Sequence, residues 1–291
     1  MCSSDDIKTV VFPVAGLGSR FLPATKIVAK ELLPILDKPL IDYAVCEAKK
    51  AGIERFIFIN SPNKQSITNY FKKNKNLESE LKDKKSEHLE LISKNLISEN
   101  NLIEVIQDKP LGLGHAIWCA RKYISGPFAV MLPDDLIISG VPCIKQLIKA
   151  YKNFKSNVVA IQEVDENNIN KYGVIDYYKN ESNTYHIKDM IEKPDKKNAP
   201  SNLAIIGRYI LNPSIIKELS NHELGAGGEI QLTDAIKKLI INENVIGYKF
   251  EGNRFDCGNV IGALNAQLSI AMNDDKYKSQ IKEIIKNLSK E

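Results

Sequence analysis

Tryptophan occurs once in 291 residues, histidine four times and cysteine five times. The cysteines (Cys2, Cys46, Cys119, Cys143 and Cys257) are scattered, and none forms a Cys-x-x-Cys pair. That excludes a zinc ribbon and a dithiol redox motif, and it predicts free thiols in a reducing compartment. The histidines (His88, His115, His186 and His222) share no metal-ligand spacing, so each is read as packed or solvated. Long apolar runs are missing too. Stretches such as 56–59 and 128–132 fall far short of the ~20 residues that span a bilayer, so no membrane segment is predicted. Residues 1–6 offer acids and serines, without a basic region or an apolar core. No signal peptide is therefore expected, and a cytoplasmic location is. Nor does one sign of charge dominate: 40 Lys and Arg against 36 Asp and Glu leave +4. The lysines are dispersed, without interleaved aromatics, so a nucleic-acid partner is not expected. The small excess still suits phosphorylated small molecules.

Two phosphate-binding signatures are absent as well. No Gly-x4-Gly-Lys-[Ser/Thr] sequence occurs, which excludes a P-loop. The dinucleotide fingerprint fails because Phe21 stands where its third glycine belongs.

What is present is a foldable α/β pattern. Hydrophobic residues make up 43% and charged residues 26%, enough to bury a sizeable core. Residues 8–15 read as a buried strand, 39–51 as a helix opened by Pro39 and stopped by Gly52, and 53–59 as a second strand. That βαβ unit predicts parallel pairing. Residues 64–101 are polar but carry Leu77, Leu81, Leu89, Ile92 and Leu96, so surface helices are expected. Further strands are predicted at 102–106 and 128–132, with helices at 114–123 and 144–154. After Lys155 the texture turns strand-rich (158–164, 174–178, 185–192 and 203–211), read as an insertion forming a second wall of a cleft. Helices follow at 213–219 and 233–241, a strand at 245–250, and mostly helix from 260 to 288. No repeat or low-complexity linker appears, which favours one α/β unit with a mixed sheet.

Four places can carry chemistry. Gly16-Leu17-Gly18-Ser19-Arg20 directly follows the first strand, and Lys26 and Lys30 come soon after. Glycines let backbone approach a ligand, and three cations in eleven residues point to a polyphosphate. Pro133-Asp134-Asp135 ends a predicted strand, where open α/β sheets bind ligands. A carboxylate there suits Mg²⁺, although an Asp pair also serves as an ordinary turn. Glu192-Lys193-Pro194 reads either as a surface ion pair or as a holder of sugar hydroxyls and a phosphate. The run from Arg254 to Gly258 offers Asp256 as a second carboxylate for a metal, or as a helix-start acid. Leu111-Gly112-Leu113-Gly114 is a glycine turn opening a helix. Gly225 to Glu229 is a turn by composition, and Thr233-Asp234 starts a helix. Cys119 and Cys257 read as buried thiols, not nucleophiles.

These stretches together resemble the bacterial UTP–glucose-1-phosphate uridylyltransferases, or UDP-glucose pyrophosphorylases, of the sugar-phosphate nucleotidyltransferase family. The matching runs include FPVAGLGSRFLPATK (12–26), QDKPLGLGHAIWCA (107–120), PFAVMLPDDL (127–136), KYGVI (171–175), IEKPDKKNAPSNLAIIGRYIL (191–211), GAGGEIQLTDA (225–235) and RFDCGNVIGAL (254–264). Gly-x-Gly-x-Arg is common to the wider family. PLGLGHA, EKP-x4-APSNLA and GGEIQLTDA mark the uridylyl branch.

The resemblance implies a Rossmann-like three-layer fold with a central mixed, mostly parallel sheet. It implies a nucleotidyltransferase domain over 7–270, with a nucleotide part about 7–155, a sugar-phosphate part about 156–258 and a C-terminal helical segment 260–289. It implies UTP and glucose 1-phosphate as substrates, Mg²⁺ as cofactor and a homo-oligomer, dimer or tetramer. Ala15, Gly16, Gly18, Lys26, Gln107 and Gly112 would bind the nucleotide. Arg20 and Lys30 would hold the triphosphate. Asp134 and Asp256 would hold the metal. Gly173, Glu192 and Lys193 would bind glucose 1-phosphate, and in-line attack would need no general base. Two departures stand out. Ala29 replaces a proline usual in the family before Lys30, and residues 72–101 match poorly. Three alternatives are a dTTP-preferring enzyme, a silent regulatory relative, which the presence of Arg20, Lys30, Asp134 and Lys193 disfavours, and a dehydrogenase, which the missing third glycine disfavours.

Overall fold

The alternation of apolar residues in the first strand already divides the molecule into layers. In β1 (Thr9–Pro13) Val10 and Phe12 pack into one core, and Val11 into another on the opposite face. A computed structural model describes residues 6–82 and 86–289. Cys2 and part of the polar stretch around residue 84 lie outside the described residues.

The chain continues through β2 (Pro34–Ile35), β3 (Lys38–Pro39), α1 (Leu40–Lys50) and β4 (Arg55–Asn60). Three surface helices follow, α2 (Ser66–Tyr70), α3 (Lys75–Lys82) and α4 (Ser86–Ser93), then β5 (Leu102–Ile106) and α5 (Leu113–Cys119). Next come β6 (Phe128–Met131), β7 (Asp135–Ile138), α6 (Cys143–Phe154) and β8 (Asn157–Glu163). The long strands β9 (Gly173–Glu181), β10 (Thr184–Glu192) and β11 (Leu203–Leu211) precede α7 (Ser214–Leu219) and α8 (Leu232–Leu239). β12 (Val245–Lys249), β13 (Asn253–Asp256), α9 (Val260–Asn273) and α10 (Lys278–Leu288) complete the chain. None of the described helices is long and apolar enough to cross a membrane.

Nine strands form one sheet in the order β5-β4-β1-β6-β11-β8-β12-β10-β9. One core, with α1 and α6, covers one face, and a second, with α5, α7 and α8, covers the other. The three-layer reading therefore holds. Two expectations need correction. The sheet is not mostly parallel: β5, β4, β1 and β6 run parallel and so does the β8–β12 pair, but the other four neighbouring pairs are antiparallel. The strand-rich stretch is also no separate wall. β11 inserts directly between β6 and β8, because its residues are apolar on both faces and only a central position buries both.

α1 shows how local sequence sets an element. Pro39 stands at its start with φ −63°, and Leu40, Ile41, Ala44, Val45 and Ala48 make the buried face. Gly52, at φ +90°, ends it. The Gly52 N–H donates to Lys49 O (3.0 Å) and the Ile53 N–H to Ala48 O (3.1 Å), the paired bonds of a Schellman stop.

The same helix carries Glu47 toward Arg208, whose side chain is 1% exposed. Arg208 sits where the β11 register shifts between Ile206 and Tyr209. Its Nη2 donates to Glu47 Oε2 (2.8 Å) and to Asp135 O (2.8 Å), and its Nη1 to Leu132 O (2.9 Å). Glu47 Oε1 also accepts the Ile144 N–H at the start of α6 (2.9 Å). Removing one partner leaves a buried charge unpaired. Glu47→Ala is expected to lower unfolding stability by about 3–5 kcal/mol, read as a reduced urea midpoint with an unchanged slope.

Candidate active site

The parallel strands β5, β4, β1 and β6 end along one edge of the sheet, where α/β folds place their ligands. Gln107 follows β5, Ala15 and the glycine loop follow β1, and Asp134 follows β6. The Val14 N–H donates to Ile59 O (2.9 Å) and the Gln107 N–H to Asn60 O (2.8 Å), so the ladder fixes where each loop departs.

The glycine loop is held from below. Ala15 is buried, and Gly16 faces open space. Gly18 is left-handed at φ +65°, with Lys30 Cβ only 3.1 Å from where its own Cβ would stand. Lys64 reaches under the loop. Its ammonium donates to Val14 O (3.0 Å) and to Gly16 O, and pairs with Glu31 (3.1 Å). Glu31 is buried, and burial raises its pKa against the pull of Lys64 and Lys30.

Four charged side chains converge beside this loop. Lys30 Nζ donates to Asp134 Oδ2 at 2.6 Å. Burial works to raise the Asp134 pKa, but Lys30 outweighs it and holds the carboxyl below its ordinary value. Burial likewise opposes charge on Lys30, and Asp134 and Glu31 reverse it, so both partners stay ionised. A Cβ at Gly258 would lie 3.0 Å from Asp256 Oδ1, 3.3 Å from Asp134 Oδ2 and 3.5 Å from Arg20 Nη1. Two carboxylates and a guanidinium thus surround one glycine, whose missing side chain leaves them room. Asp256 arrives through a ribbon: β13 pairs antiparallel with β7, Asp256 opposite Asp135. The Cys257 N–H then donates to Asp134 O (2.8 Å).

On the β5 side, Gln107 is 5% exposed, and its Nε2 donates to Gly112 O (3.2 Å). Gly112 has φ +106°, and a Cβ there would meet Ile230 O at 2.8 Å. The turn is strapped down by the Ile230 N–H donating to Leu111 O and the Gly114 N–H to Ile230 O, both at 2.8 Å.

A third group gathers where β9 and β10 pair, Gly173 opposite Glu192. Thr233 Oγ1 donates to Glu192 Oε2 (2.7 Å), and a Cβ at Gly173 would lie 2.9 Å from that hydroxyl. Lys193 Nζ lies 3.3 Å from Glu192 Oε1, half-exposed. Its backbone is left-handed at φ +47°, a strained geometry for a lysine and one that collects at functional sites. Tyr172 joins this group to the carboxylates. Its carbonyl accepts the Lys193 N–H (2.9 Å), and its hydroxyl accepts from Arg254 Nη1 (3.2 Å), whose Nε donates to Asp135 Oδ1 (2.5 Å).

The sequence reading of these residues is thus gathered into three clusters. Lys26 joins none of them: its side chain is exposed in the short turn Ala24–Lys26. Thr233 starts α8 as expected but also touches Glu192, a contact that the GGEIQLTDA run signals only by resemblance. Lys64, Tyr172 and Arg254 carry no local sign of a site role, since each acts on a residue far away in sequence. Cys257 is buried with its thiol pushed up to about 12 by burial and the nearby aspartates, which excludes a thiolate nucleophile. Cys119 is half-buried. Among the described residues no group of three or more His, Cys, Asp and Glu side chains gathers to hold a metal.

Comparison with known proteins fits this geometry. The nucleotidyl transferase family model matches residues 10–273. A curated UTP–glucose-1-phosphate uridylyltransferase from Bacillus subtilis is 43% identical over 287 residues, 97% of each chain. The chain belongs to the UTP–glucose-1-phosphate uridylyltransferases of the nucleotidyl transferase family. A crystal structure of UDP-glucose pyrophosphorylase complexed with UDP-glucose is also 43% identical, covers 92% of this chain and 100% of its own, and superposes with a TM-score of 0.83. A UTP-bound UGPase from Acinetobacter baumannii, 38% identical, covers 96% of this chain and 99% of its own, with a TM-score of 0.88.

Within this uridylyltransferase, Ala29 stands where the resemblance leads one to expect a proline, and its backbone suits one. Its φ is −59°, within reach of the proline ring, and its own N–H makes no hydrogen bond among the described residues. Ala29→Pro is expected to stabilise the protein by about 0.4–1 kcal/mol through the unfolded chain, measured as a raised Tm.

Proposed function

We propose that the protein transfers the uridylyl group of UTP to α-D-glucose 1-phosphate, giving UDP-glucose and pyrophosphate. The observation that carries this reading is the convergence of Arg20, Lys30, Asp134 and Asp256 at one glycine, linked through Tyr172 to Glu192 and Lys193. A metal-and-triphosphate site and a sugar-phosphate site are what the reaction needs side by side. The names of the curated relative and of the UDP-glucose complex support the choice of substrates. In this reading the nucleotide part spans about 7–155 and the sugar part about 156–258, with 260–289 as a helical extension. A cytoplasmic homo-oligomer belongs to the same proposal.

Uracil would lie against the backbone of Ala15, Gly16 and Gly112 and the amide of Gln107. Gly18 and Lys26 would flank the nucleotide, and Arg20 and Lys30 would hold the triphosphate. Gly173, where a Cβ would crowd Thr233 Oγ1 and Glu192 Oε2, would bind the sugar with Glu192, which would accept its hydroxyls, and Lys193 would grip its phosphate. Mg²⁺ fits the donor set, since Asp134 and Asp256 present hard carboxylate oxygens beside a phosphate-binding loop. Bound there, Mg²⁺ would neutralise charge on the phosphates.

A phosphate oxygen of glucose 1-phosphate would form a bond to the α-phosphorus of UTP. The bond from that phosphorus to the bridging oxygen would break, and pyrophosphate would leave with the electron pair. The attacking phosphate is already ionised at neutral pH, because its second pKa is about 6. No protein base is required, and the residues work by aligning two anions and neutralising them.

Two substitutions test this reading by formation of UDP-glucose. Asp134→Asn is expected to lower kcat by about 10²-fold or more with the Tm little changed. Lys193→Ala is expected to raise KM for glucose 1-phosphate about tenfold while KM for UTP stays within about twofold. Near-normal turnover of Asp134→Asn, or equal effects of Lys193→Ala on both substrates, would remove those residues from their roles.

A further inference from the structure

We propose that His115 is a positioning residue that locks the Gln107 amide with its carbonyl oxygen toward the nucleotide base, and that this lock sets the preference for uracil over cytosine. The inference rests on the reading of Gln107 as a base-binding residue. It adds a residue and a mechanism of discrimination to it.

The orientation follows from hydrogen-bond chemistry. The Gly112 carbonyl lies 3.2 Å from one end of the Gln107 amide, and a carbonyl can only accept. That end is therefore the nitrogen. The same nitrogen lies 2.9 Å from His115 Nδ1. With the amide donating, Nδ1 must be the bare acceptor, and the ring proton sits on Nε2. Both amide hydrogens are then engaged. Oε1 takes no donor from the described residues, and it is not sealed away, since the buried unpartnered side-chain atoms among them are Ser214 Oγ and His222 Nε2.

The ring that supplies Nδ1 is itself fixed. His115 stacks on Trp118 with centroids 5.9 Å apart, and His222 packs edge-on against both rings. The Arg121 guanidinium covers Trp118 at 3.5 Å. Burial lowers the His115 pKa below its ordinary value, and electrostatic interaction with His222 and Arg121 adds to this, which favours the neutral ring.

Uracil offers an N3–H donor to such an oxygen. Cytosine offers a bare N3 lone pair. Pairing Gln107 with that N3 would need the amide turned over, which sets Oε1 against the Gly112 carbonyl and against His115 Nδ1. The carbonyl can only accept, and Nδ1 could meet Oε1 only after the ring proton moved from Nε2 to Nδ1, so His115 adds a tautomer change to the clash at Gly112. A site that presents a fixed partner rejects the mismatched base far better than one free to rotate.

Titration calorimetry with UTP and CTP on the full chain tests this without relying on turnover. His115→Phe keeps the stacked ring but has no acceptor. It is expected to cut the CTP-to-UTP Kd ratio about tenfold, with unchanged Tm. His115→Asn returns an acceptor near Nδ1 and is expected to restore the ratio to within about threefold. If His115→Phe does not fold, His115→Leu gives the same readout. An unchanged ratio in the acceptor-less variant would overturn the lock, as would equal loss of both nucleotides in His115→Phe and His115→Asn. Gln107→Ala separates the two levels. If it lowers the ratio while His115→Phe does not, only the lock fails. If it too leaves the ratio unchanged, or if the unaltered protein binds both nucleotides equally, the base-binding reading of Gln107 fails with it.

Discussion

Arg208 brings a permanent charge into the centre of the molecule, and the position of the candidate site depends on how that charge is satisfied. An isolated buried guanidinium would cost several kcal/mol. Here Glu47 neutralises it, and the remaining N–H groups bind the carbonyls of Leu132, Gly207 and Asp135. Those carbonyls belong to the turn that presents Asp134 and to the β11 bulge beside it. Gly207 completes the arrangement. Its N–H donates to Asp135 Oδ2 (2.8 Å), and a Cβ there would lie 2.5 Å from Leu132 Cβ. The two adjacent aspartates thus have different tasks. Asp135 is turned inward to the bulge and to Arg254, which frees Asp134 to point along the edge of the sheet toward Lys30.

The same division of labour recurs around the cleft. Lys64 and Glu31 form a pair against the glycine loop, while Lys30 reaches Asp134 and Arg20 lies beside Gly258. Arg254 ties Asp135 to Tyr172, and Tyr172 in turn fixes the backbone of Lys193. Charges that hold the frame are paired inside, and charges suited to substrate lie at the edge. For two anionic substrates that must meet, this arrangement supplies cations already oriented, at little cost of reorganisation on binding.

Much of this was legible in the sequence. The strand–glycine loop, the α1 start and stop, and the parallel strands of the first half announce themselves through local periodicity and turn chemistry. Asp134 was legible as the end of an apolar run, and Asp256 through the run that resembles the family. The sheet's antiparallel half was not, because strand direction depends on where β11 inserts, and its uniformly apolar sequence suits any central slot. The Arg208–Glu47 pair was invisible for a related reason: its partners are 161 residues apart, and neither carries a local motif. Lys64 read as one more surface lysine. Only the fold shows that its side chain runs under the glycine loop.

The most direct test of the account is pyrophosphate release by the purified protein with Mg²⁺ and glucose 1-phosphate, comparing UTP, dTTP, CTP, ATP and GTP. The account predicts a strong preference for UTP that EDTA abolishes. A preference for dTTP would contradict the uridylyl assignment, and no release with any nucleotide from folded protein would contradict the catalytic reading as a whole.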